Sequence, residues 1–88
     1  GVYATRAYID GNRLDSITNI GYRPTFGSSK LLIETHIFDF SSDIYGKRLK
    51  LEFVERIRDE KRFESVDALV AEIKIDVERV KDVLKNTD

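Results

Sequence analysis

The spacing of apolar residues changes once along this chain. From Val2 to about Ile57 it is close to two, the period of strands that show alternate side chains to opposite faces. From Val66 to Leu84 it is close to 3.6, the period of a helix. Val2 to Ile9 reads as a first strand, and Asp10-Gly11-Asn12 as a hairpin turn, since Gly and Asn tolerate positive φ. Arg13 to Ile20 returns, with Leu14, Ser16, Thr18 and Ile20 alternating against Asp15, Ile17 and Asn19. Gly21 to Lys30 carries two glycines, a proline and two serines, and is expected to be a loop. Leu31 to Phe40 reads as a buried third strand and Ser41-Ser42-Asp43 with Gly46 as the next turn. Lys47 to Ile57 reads as a fourth strand, with Leu49, Leu51 and Phe53 on one face.

The helix is expected from about residue 66 to 85. Val66, Leu69, Val70, Ile73, Val77, Val80 and Leu84 form its apolar stripe, and Glu72 falls off that stripe. Ser65 suits the N-cap, and Asp67 suits the positive end of the helix dipole. The third strand is apolar on both faces, Ile33 and Ile37 on one and Leu32, Phe38 and Phe40 on the other. Such a strand calls for cover on both sides, and four strands in an open sheet leave two free edges. A mainly β fold follows: a small antiparallel barrel with one amphipathic C-terminal α-helix packed outside.

Composition narrows the function classes. Eighty-eight residues make one domain, and 41% hydrophobic with 35% charged residues is the balance of a folded domain. A formal charge of −1 provides no global attraction to nucleic acid or to an anionic membrane, and no apolar run approaches a transmembrane span. The chain holds no cysteine, which removes disulfides and thiolate metal sites and fits a cytoplasmic setting. It also holds no methionine and opens at Gly1 already inside a strand pattern, as expected of a piece of a longer protein.

Three groups of residues carry chemistry. Glu34 stands among Leu32, His36, Phe38 and Phe40 on one strand face, where an ionised carboxylate is costly unless paired. It is either a general base near a substrate hydroxyl or a barrel-lining carboxylate satisfied by one of the eight arginines. His36 is the only histidine, and is expected as a polar tip at a barrel end rather than a metal ligand. Arg23-Pro24-Thr25-Phe26-Gly27 is either a phosphate-facing loop or an ordinary turn. The run from Arg56 to Phe63 is either a solvated connector or a clamp in which Arg58 and Phe63 face a planar ligand.

In this order the motifs resemble those of the riboflavin kinase family. Asn19-Ile20-Gly21-Tyr22-Arg23-Pro24-Thr25-Phe26-Gly27 looks like that family's strand-end loop. Glu34-Thr35-His36-Ile37-Phe38-Asp39-Phe40 looks like its catalytic strand, and Asp43-Ile44-Tyr45-Gly46 like the turn after it. Phe53 to Phe63 resembles the flavin-side connector, and the segment from Phe63-Glu64-Ser65-Val66 to Asp76-Val77 resembles its C-terminal helix. The resemblance implies a six-stranded Greek-key barrel, of which four strands are present here, and transfer of the ATP γ-phosphoryl group to the 5′-hydroxyl of riboflavin, giving FMN. Glu34 would be the base, Arg58 and Phe63 would bind flavin, and Arg23, Pro24, Thr25 and Phe26 would lie on the nucleotide side.

The family's Mg²⁺ and ATP-phosphate residues belong to a Pro-Thr-Ala-Asn motif and a glycine-rich loop ahead of the Gly-Val-Tyr-Ala strand. The resemblance therefore implies no metal ligand among these residues, and no turnover by this chain alone. It further implies a bacterial-type bifunctional parent that adenylylates FMN to FAD in a separate N-terminal domain. The expected partners are riboflavin and ATP, with no nucleic acid and no membrane, and a dimer formed through an open barrel edge at Val2 to Ile9. The competing expectation is a non-catalytic small-barrel module that binds nucleic acid or protein.

Overall fold

The structure is a computed structural model that describes residues 1–41 and 46–87, with Thr25 described by its backbone only. Four strands, β1 (Val2–Ile9), β2 (Asn12–Thr25), β3 (Ser28–Ile37) and β4 (Lys50–Arg58), precede one helix, α1 (Val66–Lys85). They form one antiparallel sheet in the order β3-β2-β1-β4. Three hairpin-linked strands with the fourth returning beside the first is the Greek-key order. Closure into a barrel is not made by these four strands, whose sheet edges are β3 and β4. β1 is therefore central, not the exposed edge expected of it, because β4 returns to pair with its outer side.

The β1–β2 hairpin turns within the expected Asp10-Gly11-Asn12 segment, with Asp10 and Gly11 at positive φ (49° and 81°) and Asn12 already in β2. The expected loop from Gly21 to Lys30 is instead a paired hairpin arm. Gly21 faces Leu32, Tyr22 faces Leu31, Arg23 faces Lys30, and the chain reverses at Phe26-Gly27 with Gly27 at φ 78°. Pro24 is tolerated because β1 pairs with β2 only as far as Asn19, so Pro24 lies on a stretch bonded on one side.

β3 ends at Ile37, and Asp39 at φ 55° turns the chain away, so Phe38 and Phe40 do not continue it. Nor is β3 covered on both faces: Leu31 and Ile33 are about half exposed, and only Ile37 is buried. It is an edge strand, and among the described residues no helix or further strand covers its outer half. β4 starts at Lys50 rather than Lys47 and contains two register shifts against β1. The shift between Val2 and Tyr3 leaves Ile57 as an extra residue and sets Arg58 opposite Val2. A bulge re-aims the side chains that follow it; here it turns Arg58 toward the helix.

The core has two parts on opposite sheet faces. On one, Val80 and Leu84 of α1 pack onto Ala4, with Ile17, Phe38, Val54, Ile57 and Val83 around them. Buried Arg6 donates from Nη2 to the carbonyls of Leu84 (2.9 Å) and Thr87 (2.6 Å), tying the C-terminal end of the helix to β1. On the other, Ala7, Ile9 and Ile37 pack with Leu14, Phe40 and Leu51. Beside them Thr5, Ser16, Thr18 and Thr35 link their hydroxyls across three strands.

Ser65 caps α1 as expected, its Oγ accepting from the Ala68 N–H at 3.1 Å. The stripe is only half used. Val80 and Leu84 are buried, whereas Val66, Leu69, Val70 and Ile73 are 38–73% exposed. Asp76 is buried in their place, and Glu72 lies on the same side, one helical turn before it. The docked line runs 72, 76, 80, 84, so Glu72 faces the sheet rather than standing clear of it.

Candidate active site

The first turns of α1 stand off the sheet, and the gap is a cavity of about 460 Å³. Glu34 and His36 on β3, Arg58 at the end of β4, Phe63 in the connector, and Leu69 and Ile73 on α1 line it. A second cavity of about 350 Å³ lies along the hairpin arm, against Tyr22, Arg23, Pro24, Leu32 and Arg62. Asn19, Glu34 and Glu60 line both.

Glu34 thus stands in the wall between two cavities. It is not buried, as its strand neighbours had suggested, but exposed, because β3 is an edge strand and, of the four neighbours expected on its face, only Leu32 and His36 lie within the strand. Among the described residues its carboxylate makes no ion pair and no side-chain hydrogen bond. An arginine-satisfied structural carboxylate is therefore not what is found. Its direct cross-strand neighbour is Asn19, whose buried Oδ1 has no hydrogen-bond partner among the described residues. Glu60 folds over the same spot so closely that a Cβ at Gly21 would collide with its carboxylate. His36 is exposed and packs edge-on against Phe38, with ring centroids 5.8 Å apart.

Arg58 is the most tightly held group. Its Nε donates to both Asp76 carboxylate oxygens (2.9 and 3.0 Å), its Nη2 to Asp76 Oδ2 (2.7 Å) and its Nη1 to the Asp59 carbonyl (2.9 Å). The guanidinium carbon sits 5.8 Å from the centre of the Phe63 ring, within cation–π range. Glu72 lies 3.7 Å from Arg58 Nε and 3.0 Å from Lys61 Nζ. The Asp76 hydrogen bonds hold Arg58 above its ordinary guanidinium value, with burial opposing and the charges of Asp76 and Glu72 adding. Arg58 is permanently cationic, and its orientation is set from the helix.

Of the four hairpin residues singled out, Arg23 and Pro24 line the second cavity. Phe26 projects fully exposed from the hairpin tip and lines neither cavity, and the Thr25 side chain lies outside the described residues. So do Asp43, Ile44 and Tyr45 of the expected turn. Asn19, Glu60 and Asp76 were not anticipated. For Asp76 a signal existed: it stands four residues before Val80 on the line 76, 80, 84, so a carboxylate falls where the docked stripe continues. Asn19 and Glu60 carried no local signal, since one alternates normally in its strand and the other lies in a charge run.

Among the described residues no three His, Cys, Asp or Glu side chains come together as a metal cage, so they do not fit Mg²⁺ as its sole ligands. No described helix is long and apolar enough to cross a membrane. What the arrangement provides is an apolar slot with a flat ring and a guanidinium at its side, a second slot with two arginines, and an exposed carboxylate between them.

Residues 1–84 match the family model described as riboflavin kinase. The chain is 42% identical over 82 residues to a bifunctional riboflavin kinase/FMN adenylyltransferase of Haemophilus influenzae, covering 92% of this chain and 27% of that protein. It is 42% identical over 78 residues to the protein of the same description from Pseudomonas fluorescens, covering 88% of this chain and 25% of that one. A solved structure from Streptococcus pneumoniae, described as a macrolide-efflux protein, superposes with a TM-score of 0.84 at 36% identity. That match covers 92% of this chain and 27% of the other. The chain spans about a quarter of the length of the curated relatives it matches.

Proposed function

The chain belongs to the riboflavin kinase family, and on that premise we propose that it serves transfer of the ATP γ-phosphoryl group to the 5′-hydroxyl of riboflavin, giving FMN. The observation that carries this is the place of Glu34, shared by both cavities and without an ion pair among the described residues. Phosphoryl transfer needs two substrates brought end to end, with a proton acceptor at the meeting point.

In this proposal the flavin ring enters the larger cavity, against Phe63, Leu69, Ile73 and the Arg58 guanidinium. The ribityl chain runs toward Asn19 and Glu34. The nucleotide approaches along the smaller cavity, where Arg23 and Arg62 offer positive charge to its phosphates. The Glu34 carboxylate accepts the 5′-hydroxyl proton, the hydroxyl oxygen bonds to the γ-phosphorus, and the bond to the β-phosphate oxygen breaks with ADP leaving. When bound, Mg²⁺ neutralises charge on the phosphates, and no residue of this chain is assigned to it. A second activity, adenylylation of FMN to FAD by a separate domain of the parent protein, belongs to the same proposal, as does a cytoplasmic setting supplied with ATP. A second copy of the chain would pair along β3 or β4, the two sheet edges.

The competing non-catalytic module that binds nucleic acid or protein is not favoured. The carboxylates of Glu34 and Glu60 lie in both cavities, and a net charge of −1 gives no electrostatic footprint.

The test is Glu34→Gln in the protein that carries this chain. The amide keeps the shape but accepts no proton, so kcat for FMN formation should fall about 10²–10⁴-fold while riboflavin affinity holds. Turnover at the unsubstituted rate would remove Glu34 from the reaction.

A further inference from the structure

We propose that Asp76 is a positioning residue for flavin recognition, acting through Arg58; the proposal rests on the flavin cavity as assigned above. Asp76 is 2% exposed, on a line of α1 that continues as Val80 and Leu84. An apolar side chain there would extend the docked stripe. A buried ion pair is a poor substitute for such packing, because desolvating both charges offsets most of their attraction. Helix docking therefore does not account for a carboxylate at this position. Orientation of Arg58 does.

The geometry is specific. Both Asp76 oxygens are engaged by Arg58, whose side chain is 15% exposed. Asp59 fixes one Nη1 proton. Of the five guanidinium N–H donors three are thus engaged, and one on Nη1 and one on Nη2 remain for an occupant of the cavity. The group is held simultaneously against the Phe63 ring. A planar cation fixed in this way presents two donors at set positions to the carbonyl edge of a planar heterocycle. A mobile arginine would have to lose that freedom on binding. Glu72, at 3.7 Å and shared with Lys61, contributes charge but does not define the plane.

Asp76 touches neither reacting atom, so its removal should move flavin affinity and leave the chemical step alone. The experiment is a double-mutant cycle in the full-length protein, read by quenching of riboflavin fluorescence. Asp76→Asn should weaken riboflavin about tenfold, the scale expected when a rotamer-rich side chain must be immobilised on binding. In an Arg58→Gln background the same change should alter affinity less than about twofold, because nothing remains to be positioned. FMN formation should show a raised KM for riboflavin, with KM for ATP and kcat little changed. Equal losses in the two backgrounds, or unchanged affinity in a folded Asp76→Asn protein, would overturn the proposal.

Should Asp76→Asn fail to fold, Asp76→Glu keeps the charge and displaces it by one methylene, and the same cycle applies. The Arg58 Nε–H resonance supplies a readout independent of flavin. It should be resolved and slow to exchange in the unsubstituted chain and lost in Asp76→Asn. Failure of the unsubstituted protein to quench riboflavin would refute the flavin cavity itself. An Nε–H signal unaffected by Asp76→Asn would refute the positioning.

Discussion

Leu84→Ala and Ile73→Ala remove side chains of equal size from one stripe of one helix, yet their costs should be far apart. Leu84 is 3% exposed and sits in the cluster with Ala4 and Val80. Its truncation loses the transfer energy of the removed carbons and leaves a sealed void, about 3 kcal/mol within the usual 2–5 range. Ile73 is 45% exposed and borders the larger cavity. Three carbons at about 0.8 kcal/mol each, little more than half of them buried, give roughly 1 kcal/mol, with no sealed void to add. For a domain of this size one kcal/mol corresponds to about 4–8 °C in Tm. Leu84→Ala should therefore lower Tm by roughly 12–24 °C and Ile73→Ala by about 4–8 °C. Ile73→Ala should also weaken riboflavin in a quenching titration. Leu84→Ala, titrated where it is still folded, should not. Equal melting shifts would mean that the first half of α1 is docked as firmly as the second and that the cavity beneath it does not exist.

Ser65→Ala removes the acceptor of the Ala68 N–H and should cost about 1 kcal/mol in a chemical-denaturation curve, without altering the riboflavin KM. Sedimentation of the 88-residue chain should show a concentration-dependent dimer, paired along β3 or β4; a monomer at all concentrations would show that both edges are protected.

The sequence by itself determined what depends on near neighbours along the chain. The switch from period two to period 3.6, the Asp10-Gly11 reversal and the Ser65 cap are local chemistry, and each is found where it was expected. The order of motifs was enough to recognise the family. Tertiary pairing decided the rest. Gly21 to Lys30 has the composition of a loop, but Tyr22 and Arg23 find partners in Leu31 and Lys30, and those pairings outweigh the local preferences of Gly and Pro. The apolar third strand looked buried, yet burial depends on what stands opposite, and at a sheet edge Glu34 stands exposed between two cavities. The bulge at Ile57 turns Arg58 toward the helix, where Asp76 pairs with it, and the docked line 72, 76, 80, 84 departs from the stripe that hydrophobicity alone marks out. Period says which residues share a face. Only partners brought in from distant parts of the chain decide which face is covered, because burial and ion pairing are properties of both surfaces in contact.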